Sequence, residues 1–403
     1  MSGADGKWTR SAAMIVGLCF VTNMVDGMDV NIMSYIRGAL SKEWGVADDV
    51  MGYVMSAGTF GMGIGALAIA PFADRFGRKP VILLALALMS VGMVASGLVS
   101  NIEGLVVARL IVGIGIGTVL ATMAALAAEV APPGKQNMAV GLVQAGFPLA
   151  AVGTGFAVAA FLPGHGWQAL LLWAGVVTVL MVPAAWFILP ETLPEHVKDK
   201  PSTLSRLFAD DLRMRTVLLM IAVFMGLLVL YSMLSWITKL ATAAGLSDND
   251  SIYAGAFYNI GAFLGTSGMG LLSARVRPSI LLPILLTLAG VAMLIFGNVP
   301  MSVSAALAMA FLIGVTLQGG YNAMWPIAAG AYPDDVRATG IGWVMGIGRG
   351  GAVVGPIMAG YLLAANMSLG GILAIYCVPL AICAVAAFRA GRPAPVADSQ
   401  HLS

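Results

Sequence analysis

Asp26 and Asp29 stand three residues apart within the apolar run 12–36, in the sequence DGMD. On a helix, positions three apart share a face. A charge at membrane depth costs at least about 2.5 kcal/mol, so such residues face a cavity and work there. Two carboxyls side by side where water is scarce suit a group that must load and release protons. Asn23, one turn earlier, extends the polar stripe. Two cations, Arg109 and Arg349, also lie within apolar runs. A guanidinium keeps its charge at physiological pH, so neither carries the proton. Its planar fork matches a carboxylate at two points. Structural roles stay open beside these readings: either Asp can pair with Arg109 or a backbone donor, and Arg109 with Glu129 or an Asp. Arg349 has no carboxylate near it in sequence, which favours contact with an anionic substrate. Gly348, Gly350 and Gly351 beside it are expected to leave the helix surface open to a flat ring.

Softer candidates are Gln144, Trp236, Tyr258, Asn259, Gln318, Tyr321, Asn322 and Trp325. A pocket for a flat apolar ligand needs aromatic walls and a few polar anchors. Trp and Tyr in apolar runs more often form interface belts or packing, so each alone is weak. Tyr258–Asn259 and Tyr321–Asn322 fall near the middle of their runs. Cys19, Cys377 and Cys383 lie in apolar stretches without CxxC spacing, and His165, His196 and His401 lie outside them. No metal site and no histidine relay is expected. The GIGIG run at 113–117 has no preceding strand and no P-loop lysine, so its glycines are read as helix packing.

These residues need a frame that holds charge inside lipid. The chain has 403 residues, 59% of them hydrophobic and 10% charged, with a mean hydropathy of +0.92. Soluble domains are about 25% charged, and disordered chains have the opposite composition. The alternating segments of a β-barrel are missing. A net charge of +2 gives no nucleic-acid footprint. Twelve apolar runs are read at 12–36, 49–72, 80–99, 104–128, 138–161, 168–189, 215–240, 251–273, 279–297, 302–330, 339–364 and 370–389. The expected fold is an all-α integral membrane protein of twelve transmembrane helices in two pseudo-symmetric six-helix bundles. The bundles are 1–189 and 215–389, joined by a polar linker at 190–214 and followed by a tail at 390–403. With the N-terminus inside, inner segments hold 16 Lys and Arg and outer segments 3, which puts both termini in the cytoplasm. Lys7 and Arg10 precede a long run without a small-residue cleavage site, so the first run is read as a retained span.

The halves repeat. Residues 61–75 (GMGIGALAIAPFADR) align with 261–275, matching Gly61 with Gly261, Gly65 with Gly265 and Arg75 with Arg275. Lys135 and Gly146 match Arg337 and Gly348 at a slightly larger offset. Parallel six-span repeats place a substrate site between the halves at mid-membrane depth. In that register Arg109 aligns with Phe311 and Arg349 with Phe147, so these charges were not copied with the scaffold.

The loop ADRFGRKP holds Asp74, Arg75, Gly77, Arg78 and Lys79. It resembles the G-x-x-x-D-R-x-G-R-R/K signature of the major facilitator superfamily, with Ala70 in place of the first glycine. The second copy has Ala274 in place of the Asp. The resemblance implies the major facilitator fold and a conformational latch at Asp74, Arg75, Gly77 and Arg78. DGMD, the stretch YPDDVRATGIGWVMGIGRGGAVVGP at 332–356 and LPETLPE at 189–195 resemble the aromatic acid:proton symporter family. That likeness implies proton-coupled uptake of a small aromatic carboxylate, such as a benzoate or hydroxybenzoate, by alternating access. A non-aromatic acid or another small metabolite on the same fold is the alternative. An exporter is disfavoured, because GLVQAGFPLAA at 141–151 matches the exporters' span-five motif poorly. Asp26 and Asp29 are the expected proton-coupling residues. Arg349, Arg109, Asn23, Gln144, Tyr258, Asn259, Gln318, Tyr321, Asn322 and Trp325 are the expected substrate contacts. No enzymatic activity and no cofactor beyond the proton gradient are expected. The expected partners are a small organic anion, protons and membrane lipid. The protein is read as a monomer of the bacterial inner membrane.

Overall fold

A computed structural model describes residues 8–133, 135–190, 207–273, 275–333 and 336–391. Most of the expected linker and tail, 191–206 and 392–403, lies outside the described residues. The first half contains α1 (Arg10–Trp44), α2 (Asp48–Ile64), α3 (Ala73–Phe76), α4 (Arg78–Leu98), α5 (Ile102–Val130) and α6 (Gln136–Ile188). The second contains α7 (Asp210–Ala243), α8 (Asp248–Leu272), α9 (Pro278–Asn298), α10 (Val303–Asn322), α11 (Met324–Ala331), α12 (Arg337–Ala364) and α13 (Leu369–Ala390). No strand occurs among the described residues.

Among the described residues, ten helices are long and apolar enough to cross a membrane. The 53 residues of α6 would reach about 80 Å if straight, more than twice a bilayer core. They are divided at Gly166, whose φ of 76° is easy only for glycine. α8 is a further helix of 25 residues, made less apolar by Asn259, Thr266 and Ser267. With these two, the described residues hold twelve span-length segments. α1 runs eight residues past its apolar run, to Trp44. α2 continues through a π turn at Gly65–Ile69 and a 3-10 turn at Ala70–Phe72. Thr118 donates to the Gly65 carbonyl at 3.2 Å in this irregular stretch.

The sequence repeat is a repeat of helix crossings. A Cβ on Gly61 or Gly65 would strike the α5 backbone at Leu110 or Ile114. A Cβ on Gly261 or Gly265 would strike α10 at Phe311 or Val315 in the same way. Glycines allow such close approach where lipid gives helices no hydrophobic drive to associate. Gly27, between the two aspartates, touches the Phe147 carbonyl of α6. The expectation for Gly348 and Gly351 needs correction. They do not leave an open surface beside Arg349, because they seat α12 on Val223 and Phe224 of α7. A Cβ on Gly350 would come within 3.2 Å of the Phe224 ring. The halves meet where α2 packs on α12, α6 on α8 and α1 on α7.

Candidate functional site

A cavity of about 590 Å³ lies between the halves. Asp26 of α1 and Arg349 of α12 are the only charged side chains lining it among the described residues. Of the substrate contacts expected from sequence, all but Arg109 line this one cavity. Asp26 lies in the field of Arg349, and its Oδ1 is buried without a hydrogen-bond partner. No carboxylate of the described residues comes within ion-pair distance of Arg349. An anion-sized opening therefore faces a fixed cation whose fork is not engaged by a protein carboxylate. Asn23 donates to Gln144 Oε1 at 3.1 Å and keeps a buried, unpartnered Oδ1. Asn322 donates to Thr266 Oγ1 at 2.8 Å and to the Gln318 carbonyl at 3.0 Å, tying α10 to α8. Phe147, Tyr231, Phe263 and Thr59 also line the cavity and were not read from sequence. Tyr231 lies within electrostatic reach of both Arg349 and Asp26.

Asp29 and Arg109 are placed elsewhere. Asp29 accepts two bonds from Arg109, each 2.6 Å, with both side chains buried to 4% exposure or less. Arg109 also reaches Met93 Sδ at 3.7 Å. The two aspartates share a helix face, yet one is locked in an ion pair and the other lines the cavity. Glu129, the other partner considered for Arg109, pairs with Arg78 instead.

Beyond Asp29 the halves are sealed. Pro356 has no N–H, so the Ala352 carbonyl lacks its usual helical donor. Thr59 Oγ1 of α2 approaches that carbonyl at 3.4 Å, and Ser56 donates to the Val353 carbonyl at 2.7 Å. Trp236, a softer substrate candidate, donates to the Pro356 carbonyl at 3.1 Å and lies under Arg37, so it belongs to the seal. Asn259 donates across the halves to Asn31 Oδ1 at 2.9 Å and to the Tyr35 hydroxyl at 3.2 Å. It is at once cavity wall and bridge. Asp48 takes Arg37 at 3.2 Å and, from the other half, Lys239 at 3.3 Å. Asp248 takes Lys42 at 2.5 Å. The second pair is 71% and 65% exposed and contributes at most about 1 kcal/mol. Arg37–Asp48, 5% and 18% exposed, lies within the first half and fixes the Asp48 carboxylate that Lys239 reaches from the second. Asp48 and Asp248 both follow a turn with a left-handed glycine, Gly45 or Gly245, which extends the repeat to the seal.

At the opposite end Gly77 takes φ 92°, and Arg78 binds the Thr122 carbonyl at 3.3 Å and Glu129. Arg78 thus ties the start of α4 to the end of α5 within one half. Arg75 is exposed. The side chain of Asp74, and Ala274 in the second copy, lie outside the described residues.

The family described as the Major Facilitator Superfamily matches residues 19–329. The gallate transporter of Pseudomonas putida is 30% identical, over 94% of this chain and 92% of its own. The 4-hydroxybenzoate transporter PcaK of the same species is 31% identical, over 92% of this chain and 90% of its own. Among solved structures, a bacterial homologue of the human lysosomal transporter Spinster superposes with a TM-score of 0.80 at 17% identity. It covers 96% of this chain and 100% of its own. A D-xylose–proton symporter superposes with a TM-score of 0.77 at 14% identity, covering 93% and 96%.

Proposed function

The chain belongs to the Major Facilitator Superfamily, and from that premise we propose that it takes up a small aromatic carboxylate together with protons. The observation that carries this reading is Arg349, a cation with no carboxylate partner among the described residues, in a cavity walled by Phe147, Tyr231, Phe263 and Tyr321. The substrate's carboxylate would take the guanidinium fork and its ring the aromatic wall. Benzoates ionise near the range of ordinary carboxyl groups, so the substrate arrives as an anion at neutral pH. Moving an anion inward against the membrane potential is unfavourable, and at least one accompanying proton offsets its charge. Asp26 lines the same cavity and is the group assigned to hold that proton. The gallate and 4-hydroxybenzoate transporters are relatives whose names support an aromatic acid.

The test is uptake by the purified protein in liposomes. Labelled benzoate and hydroxybenzoates are expected to accumulate when the outside is acidic, and aliphatic acids of equal charge are not expected to compete. Equal transport of aliphatic acids would favour the alternative of a general organic-acid carrier. Accumulation indifferent to the pH gradient would remove the coupling.

The cavity is assigned to the cytoplasmic side and the seal to the periplasmic side of the bacterial inner membrane. The 16-to-3 distribution of Lys and Arg supports this orientation. Reporter fusions at Ser202 and in the tail after Arg392 are both expected to report cytoplasm. A periplasmic signal at either site would reverse the orientation or change the span count. One chain supplies both walls of the cavity, so a monomer suffices.

A further inference from the structure

We propose that a single buried water, held between Ser34 of α1 and Ser235 of α7, connects Asp29 to Asp26 and makes the two carboxyls successive stations of one proton path. This deepens the symport reading and rests on it. The observation is a second, smaller space of about 20 Å³ on the seal side of the large cavity. It is lined by Asp29, Arg109, Ser34, Ser235, Thr59 and Tyr231, among others. A water needs roughly 10–15 Å³ of such space and two to four polar partners, and both are present. Ser34 Oγ is buried in the wall with no hydrogen-bond partner, and a water would complete it. Thr59 and Tyr231 line both spaces, so one layer of side chains separates them. Tyr231 also lies in the field of Asp26.

The proton balance is simple. A proton received by Asp29 passes to the water, which gives up one of its own to the Tyr231 hydroxyl, which in turn protonates the Asp26 carboxylate. Asp29 ends ionised and bonded to Arg109, and Asp26 ends neutral beside Arg349. Among the described residues, the other charged and titratable groups lining the two spaces are Arg109 from α5, Tyr231 from α7, Tyr258 from α8, Tyr321 from α10 and Arg349 from α12.

The experiment compares two rates in liposomes, with labelled 4-hydroxybenzoate as probe. One is accumulation driven by a pH gradient; the other is exchange at equal pH, which needs no net proton movement. Ser34→Val puts methyl groups where the water would sit. It is expected to lower driven accumulation at least tenfold and to leave exchange within about twofold of wild type. Ser235→Ala only removes a hydroxyl, and is expected to lower accumulation severalfold with the same split; it decides the matter if Ser34→Val does not fold. Two variants that accumulate like the wild type overturn the relay. So does a parallel fall of accumulation and exchange in both, which would make the serines structural. A wild type that exchanges the acid but never accumulates it would sink the symport reading itself, and the relay with it.

Discussion

Asp26→Asn is expected to abolish accumulation of an aromatic acid against its gradient while leaving exchange of bound for free substrate intact. The amide keeps the size and polarity of the carboxyl but cannot carry a proton. Nothing in the packing opposes it, since Asp26 Oδ1 has no partner to lose and the residue lines a cavity. The same substitution at Asp29 is expected to interrupt the proton path as well and, unlike Asp26→Asn, to act on the fold. Asp29 is held by two bonds of 2.6 Å to a buried Arg109, and losing one partner of a buried pair costs about 3–5 kcal/mol. Asp29→Asn should therefore lower the thermal unfolding temperature and the yield of folded protein, whereas Asp26→Asn should not. Measuring accumulation, exchange and thermal unfolding on the two variants separates the roles. An Asp26→Asn protein that accumulates substrate normally would remove Asp26 as the proton carrier.

The difference between these aspartates was not legible in the sequence. Spacing put both on one face of α1, and periodicity carries no more than that. What separates them is a third helix: α5 brings Arg109 to Asp29, and a contact 80 residues away leaves no local trace. Tyr231 and Thr59 were missed for a related reason. Each lies in an apolar helix with few polar neighbours, and only the meeting of the halves gives it partners on two sides. The glycines were the readable part. Gly61, Gly65, Gly261 and Gly265 mark the same crossing in each half, and their spacing is visible as a repeat because a backbone contact tolerates no side chain. The gap between the runs 138–161 and 168–189 likewise announced the break in α6 at Gly166. The same rule misled at Gly348 and Gly351, where a glycine-rich surface beside Arg349 was read as open to a ligand. A glycine in a membrane helix more often marks where another helix lies, and there it is α7. The equivalence of Asp48 and Asp248 was present in the text of the chain at the same offset as the glycine repeat. It became meaningful only once each was seen pairing with a lysine of the opposite half.

Arg349→Ala is expected to weaken binding of an aromatic acid by at least roughly thirtyfold. Removing one partner of a hydrogen-bonded charge pair costs about 2–5 kcal/mol, and tenfold in affinity corresponds to about 1.4 kcal/mol. Arg349→Lys keeps the charge but loses the two-point fork, so it should fall between the two. The effect should be confined to the anion, because the ring's contacts lie on the aromatic wall. The central claim, that this cavity selects an aromatic carboxylate through Arg349, is tested most directly by the affinity of the purified protein for a benzoate and for its uncharged amide. The wild type is expected to bind the acid far more tightly than the amide, and Arg349→Ala is expected to bind both equally weakly. An alanine variant that folds normally and still prefers the acid as strongly as the wild type would contradict the assignment.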